Sequence, residues 1–436
     1  MSNFRWRIGA LIFFATTINY LDRQVISLLK PYLEKEFQWT ESDYSDLVIA
    51  FQVSYAIGML WAGSTIDRLG TRIGYGLSLF LWSIAAVSHA FASGKLSFGF
   101  LRSFLGLTEA GNIPGAVKVV AEWFPQKERA FMTGIFNSGT NIGAVLAPAT
   151  VPWLVTQYGW RMTFVITGCT GLIWLIFWFA CYDVPAKHKR ISKSEFDYIH
   201  SDPVETPVSK SGDTKISWFV LLTNRATWAY VVGKFLTDGV WWFFLFWLPA
   251  FLSAEYGLVN TEVSLPLAIV YTMTTFGSIG GGWLPMQLMR NLQWDAAKAR
   301  RISMFFYAIF PLLVIFSQWA GSMNMWYAVI FIGIAASAHQ AWSANLYTTV
   351  SDRFPKTSVA TVIGIGGTGG AIGGILLAWI AGHLFDYYKR AGHIHTGYKI
   401  VFVYCGLAYI VAWVIMFVCL KATPLKPGKM DTTVLH

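Results

Sequence analysis

Six ionisable side chains lie inside long apolar stretches of the chain: Asp22, Arg23, Arg102, Glu109, Lys234 and Asp238. At bilayer depth each costs about 2.5–3.5 kcal/mol on insertion scales, so each calls for a partner or a function. Asp22 and Arg23 are adjacent, which on a helix turns them about 100° apart and prevents either from being the other's main partner. Arg102 and Glu109 are seven residues apart, on one helix face and about 10 Å apart along the axis. That geometry predicts two cross-helix pairs, Asp22 with Arg102 and Arg23 with Glu109. The pairs would serve as static bridges between helices, but apolar packing does that at lower cost. The chemistry they suit better is anion transport coupled to protons. The planar fork of Arg23 matches a carboxylate, and Glu109, losing its partner when the anion arrives, would take up a proton.

The second half of the sequence carries a different set. Lys234 and Asp238 stand four residues apart, so they either neutralise each other on one helix face or meet substrate. Most of the aromatic run Trp241–Leu248 reads as packing or lipid-facing material, with one of the pair Trp241 and Trp242 the candidate to stack on a ligand ring. The stretch His339-Gln340-Ala341-Trp342-Ser343-Ala344-Asn345 puts many hydrogen-bonding groups mid-span, which is costly unless they line a cavity. His339, Gln340, Trp342 and Asn345 are therefore candidate substrate contacts.

The elements that must position these residues are membrane helices. The chain has 436 residues, of which 55% are hydrophobic and 13% charged, half the charge of a soluble domain. Apolar runs of about 20 residues recur throughout, each long enough to span a bilayer, at 8–29, 44–65, 73–93, 96–117, 131–155, 161–182, 226–252, 263–286, 302–320, 326–350, 358–384 and 399–420. They lack the alternation of barrel strands. The net charge of +10 does not mark a nucleic-acid binder, because the basic residues sit in short loops rather than in a basic domain. Most of the 33 Lys and Arg fall on one side if both termini are cytoplasmic, as the positive-inside bias requires. One outer loop, with Lys389 and Arg390, dissents. The four cysteines lie within apolar runs and imply neither disulfide framework nor metal site. The basic start and the interruption at Asn19–Arg23 identify the first apolar run as a retained helix rather than a cleaved signal.

The polar stretch 184–225 separates a first bundle, 1–183, from a second, 226–422, with a cytoplasmic tail at 423–436. Residues 124–146 align without gaps to 354–376, with identities that include Phe124/Phe354, Pro125/Pro355, Ala130/Ala360, Gly134/Gly364 and Gly143/Gly373. Both copies enter a helix from the same side, so the bundles are parallel repeats of six helices each. The same offset places His339 opposite Glu109. Glycines crowd 364–374; small residues let helices pack closely, and so many weaken a helix enough to bend during gating.

Gly63-Ser64-Thr65-Ile66-Asp67-Arg68-Leu69-Gly70-Thr71-Arg72 resembles the loop signature of the major facilitator superfamily, G-x-x-x-D-R-x-G-x-R. The resemblance implies an all-α membrane fold of twelve transmembrane helices and assigns Asp67, Arg68 and Arg72 to a cytoplasmic gate. The corresponding loop, Gly282–Arg301, keeps basic charge but departs from the signature, which argues against a second latch. Asn19–Arg23 and Trp123-Phe124-Pro125 through Arg129-Ala130 are similar to the anion:cation symporter branch, and Arg129 joins the gate on that likeness. Lys234–Asp238, Trp241–Pro249 and Ala338–Asn345 look like the bacterial hexuronate members. What this implies is proton-driven uptake of a sugar acid such as galacturonate or glucuronate by an inner-membrane monomer surrounded by lipid. It implies neither cofactor nor metal. Proton handling falls to Asp22, Glu109 and Arg102, carboxylate binding to Arg23, and cavity hydroxyls to Tyr20 and Tyr55. Where aldonate relatives have Gln on the fifth helix, this chain has Thr140 beside Asn141, so those two become candidate contacts. Another organic anion (an aldonate, sialate or aromatic acid), or exchange without protons, is the competing reading; a membrane enzyme or receptor lacks any supporting motif.

Overall fold

The computed structural model describes residues 3–39, 41–201, 218–258, 262 and 264–419. Among them the regular structure is helical, without a strand. The centre of the expected linker (202–217) and the tail at 423–436 lie outside the described residues. The chain runs through α1 (Phe4–Phe37), α2 (Glu41–Leu69), α3 (Thr71–Ser88), α4 (Lys95–Glu109), α5 (Asn112–Trp123) and α6 (Gln126–Cys181). Two short helices follow, α7 (Lys193–Ile199) and α8 (Trp218–Thr223). Then come α9 (Arg225–Tyr256), α10 (Ser264–Asn291), α11 (Ala296–Ile309), α12 (Ser317–Met323), α13 (Met325–Arg353), α14 (Val359–Arg390) and α15 (Ile394–Val414).

Two departures from the expected spans have local causes. α6 takes in the fifth and sixth, turning at Gly159 with φ 77°, a conformation that glycine adopts without a Cβ penalty. The fourth span is split into α4 and α5 by a turn at Ala110 and Gly111, directly after Glu109. Six segments among the described residues are long and apolar enough to cross a membrane: Asp46–Leu69, Thr71–Phe91, Thr150–Cys181, Ala296–Met323, Val359–Arg390 and Ile394–Val418. α1, α9 and α13 are not among them, and they carry most of the polar residues of the site.

The sequence repeat reappears in the contacts. Phe124 ends α5 and Phe354 ends α13, both extended ahead of a proline, as the proline ring requires. α6 then packs on α10 and α14 on α2. A Cβ on Gly134 would overlap the Ser278 carbonyl, and one on Gly282 the Ala130 carbonyl. Likewise a Cβ on Gly364 would overlap the Met59 carbonyl, and one on Gly63 the Ala360 carbonyl. The run Gly364–Gly374, expected from its composition to bend, is continuous helix here, and its glycines admit the backbones of α2 and α9. Gly364→Val should cost roughly 1–3 kcal/mol by overpacking, whereas Gly382→Val, with open space around it, should not; thermal unfolding of the two variants reads the difference.

These approaches lie at the end of the molecule that holds the basic loops, and ion pairs reinforce them. Asp67 accepts Lys118 Nζ at 2.6 Å within the first part of the chain and, across to the second, Thr361 N at 2.8 Å and Thr361 Oγ1 at 2.6 Å. Asp352 ion-pairs with both Arg129 (3.3 Å) and Arg300. Arg129 also donates to the Ser351 carbonyl at 2.8 Å, and Arg300 to that of Gln126 at 2.8 Å. A second set of contacts therefore joins the two parts of the chain, and its acid comes from the end of α13, not from the loop that departs from the signature. Of the other gate candidates, Arg72 holds its own half, pairing with Asp183 at 3.1 Å and the Phe179 carbonyl at 3.0 Å. Arg68 is exposed.

The helix after the first bundle is also anchored. Glu195 of α7 is fully buried and accepts Phe4 N and Arg5 N at 3.1 and 3.0 Å, capping α1, whose first amides have no partner within the helix. Arg5 continues to Glu128 at 2.9 Å, which also accepts the Tyr198 hydroxyl at 2.7 Å. Burial and that bond to Glu128 push the Tyr198 phenol above its usual range.

Candidate functional site

A polar cavity lies between the two parts of the chain. Its walls come from Tyr20 and Arg23 on α1, Tyr55 and Met59 on α2, Ile113 on α5, and Asn137 and Thr140 on α6. Opposite stand Lys234, Asp238, Trp241 and Trp242 of α9, His339, Gln340, Ser343 and Tyr347 of α13, and Gly367 and Ala371 of α14.

Arg23 is the centre of the first wall. Its Nε and Nη2 reach Glu109 Oε2 at 3.1 and 3.0 Å, the pair expected from sequence. The guanidinium is boxed by the rings of Tyr20, Tyr55 and Phe51 at 4.7, 4.8 and 5.1 Å. Cation–π contact strengthens when desolvated, so the rings hold the fork in place while leaving it at the cavity wall. Glu109 is fully buried, and its Oε1 has no hydrogen-bond partner.

The expected pair of Asp22 with Arg102 is not formed. Both Asp22 carboxyl oxygens are buried without a hydrogen-bond partner. The Arg102 guanidinium sits 4.6 Å from the centre of the Phe51 ring, because α4 packs against α2 and turns that face toward it. Neither Asp22 nor Arg102 lines the cavity.

On the opposite wall Lys234 and Asp238 pair at 2.6 Å, and Lys234 also donates to the Tyr347 hydroxyl at 3.0 Å. Trp241 stacks on His339, centroids 5.3 Å apart and planes 7° from parallel, so one indole face is already covered. His339 Nδ1 bonds the Tyr409 hydroxyl at 2.7 Å. Asn137 Nδ2 donates to Gln340 Oε1 at 2.7 Å and to Ser278 Oγ at 3.2 Å, a buried bridge across the two parts.

Trp342 and Asn345 do not line the cavity. His339, Gln340, Ser343 and Tyr347 share one face of α13, whereas Trp342 and Asn345 project more than about 100° from the middle of that face. Trp342 packs edge-on against Tyr409, and Asn345 Nδ2 donates to the Gly281 and Ala341 carbonyls at 2.8 and 2.9 Å. Asn141 is buried outside the wall, its Nδ2 without a partner. Asn137, Ser343 and Tyr347 are wall residues that the sequence reading passed over. Asn137 stands one turn before Thr140, and Ser343 and Tyr347 continue the His339 face at four-residue steps, so periodicity alone would have found them.

A second, mostly apolar cavity shares Tyr55, Trp242 and Ala371 with the first. It runs between Phe51 and Gln52 of α2 and Gly374–Ala378 of α14, toward the end opposite the basic clamps. No group of His, Cys, Asp or Glu suited to a metal ion occurs among the described residues.

The chain is 32% identical to the Hexuronate transporter of Escherichia coli (strain K12) over 383 residues, 88% of each chain. It is 31% identical to the Galacturonate transporter of Dickeya chrysanthemi over 68% of this chain and 86% of that one. Among solved structures it resembles the proton:xylose symporter XylE, with TM-score 0.74, 15% identity and coverage of 95% and 96%, a likeness of fold. The Major Facilitator Superfamily profile matches residues 12–378. A buried polar cavity between helical parts, closed at one end by matched helix approaches, is how such a protein holds a solute within a bilayer, and the chain belongs to the Major Facilitator Superfamily: a multi-pass inner-membrane transporter and not an enzyme.

Proposed function

We propose that the chain is a proton-coupled symporter that imports a sugar acid, most specifically a hexuronate, by alternating access between two six-helix bundles with both termini cytoplasmic. The observation that carries this reading is the Arg23–Glu109 pair at the cavity wall. A carboxylate entering the cavity competes with Glu109 for the same guanidinium fork. Glu109, fully buried, cannot remain a lone anion at low cost and takes a proton. Asp22, whose oxygens meet no donor, is a second group that a proton would neutralise. Lys234 and Asp238, His339, Gln340 and Thr140 then face the hydroxyls and ring, supported by Tyr20, Tyr55 and Trp241.

In this reading the end bearing the Asp67 and Asp352 clamps is cytoplasmic and closed, and substrate approaches past Trp242. Transport requires both clamps to open together, as a rocking of one bundle on the other would do. The relatives named for hexuronate and galacturonate transport supply the substrate class.

The test is uptake by proteoliposomes holding the purified chain, with an acid exterior. Galacturonate should accumulate above its outside concentration, glucuronate should compete, and a protonophore should collapse the gradient. Uptake that ignores the pH gradient sinks the coupling, and preference for an aldonate over both uronates sinks the substrate.

A further inference from the structure

Beside the second clamp is a pocket of about 200 Å³, whose lining includes Asp295, Ala296, Ala297, Arg300, Asp352 and Arg353. It is separate from the central cavity and shares no residue with it. With Arg129 of the clamp counted, three arginines face the two aspartates. Asp352 is spent on Arg129 and Arg300. Asp295 caps the N-terminus of α11, where its side chain accepts Lys298 N at 2.8 Å. Two guanidiniums remain under-served. Arg300 is 3% exposed, and its Nη1 is buried with no hydrogen-bond partner. Arg353 is half-buried beside Asp352, makes no hydrogen bond among the described residues, and has the Phe417 ring 5.8 Å from its guanidinium.

A buried cationic nitrogen without an acceptor is expensive, and a ligand that supplies oxygens removes the expense. The pocket adds donors of its own. Ala296 and Ala297 are the first two residues of α11, and amides at such positions have no partner inside their helix and point at what lies before it. Guanidinium forks with helix-terminal amides form a donor set for a tetrahedral oxoanion.

We propose that this pocket binds a phosphate-type oxoanion, and that its occupation braces the Arg129–Asp352–Arg300 clamp by neutralising the excess cation beside it. The pocket lies at the end of the molecule where the basic loops gather, so the phosphate would come either from an anionic lipid headgroup or from free solution. The site stands on its own donor set, independent of the transported substrate.

The experiment follows the thermal midpoint of the full chain in neutral detergent, titrated with inorganic phosphate, with phosphatidylglycerol, or with phosphatidylcholine, at constant ionic strength. Phosphate or phosphatidylglycerol should raise the midpoint by roughly 2–4 °C at saturation, and phosphatidylcholine should not. A shift with both identifies a free oxoanion site, and a shift with phosphatidylglycerol alone identifies a headgroup site; each supports the proposal. Arg353→Gln should abolish the shift and Arg353→Lys should keep part of it. Ala297→Asp, which puts a carboxylate into the pocket and keeps every arginine, should abolish it as well, and covers the case in which Arg353→Gln does not fold. Absence of any shift, or an equal shift in Arg353→Gln and Ala297→Asp, overturns the proposal.

Discussion

Glu109→Gln should retain exchange of substrate across the membrane and lose its accumulation. Glutamine has the size of glutamate and still offers Arg23 an oxygen, so the helix contact at 3.0 Å survives in weaker form. What disappears is the negative charge that competes with the substrate carboxylate and the proton that replaces it. For one proton per substrate anion, a gradient of one pH unit supports about tenfold accumulation, equivalent to about 1.4 kcal/mol. In the variant that ratio should fall to about one, while counterflow of labelled galacturonate between equal concentrations continues. Full uphill uptake by Glu109→Gln would show that the coupling proton is carried elsewhere, with Asp22 the next group to replace.

Arg23→Gln should remove substrate binding and also destabilise the protein, and the two effects separate in the double variant. Truncating one partner of a buried charge pair costs about 2–5 kcal/mol, much of it the penalty of leaving the other charge alone. The Arg23→Gln variant leaves Glu109 in that position, since its second oxygen already has no hydrogen-bond partner. Arg23→Gln with Glu109→Gln removes both charges and should recover most of the thermal stability. Substrate affinity should stay down by about 30-fold or more in both, since each tenfold corresponds to about 1.4 kcal/mol. Arg23→Lys keeps charge without the fork and should bind between the two. Wild-type affinity in the double variant would show that Lys234 rather than Arg23 receives the carboxylate.

The two clamps at the closed end explain how a departure from a loop signature can be compensated. Asp67 holds Thr361 from within the signature loop. Arg300, in the first turns of α11, meets no acid from the loop before that helix, and Asp352, at the end of α13, takes that place. Position in the loop was thus replaced by proximity in space. The loop sequence alone could not show this, because α13 approaches α11 only after the bundle is packed.

Much of the site follows from residue type and spacing. Charges inside apolar runs are legible because insertion penalises them, and the Arg23–Glu109 pair follows from which residues need partners. The Phe124-Pro125 and Phe354-Pro355 starts announce the repeat, whose glycines meet facing backbones at matched positions of α2 and α10. Tertiary structure alone decided which side of each helix faces the cavity. Asp22 and Arg102 were expected to pair, yet α4 packs on α2 so that Arg102 meets Phe51. Trp342 and Asn345 carry suitable chemistry, but α13 is rotated to present His339, Gln340, Ser343 and Tyr347. Helix rotation is set by apolar packing summed over many neighbours, whereas charge is a property of the single residue. For that reason residue type marks which groups need a purpose inside the membrane, and the packing of the bundle sets which of them share one.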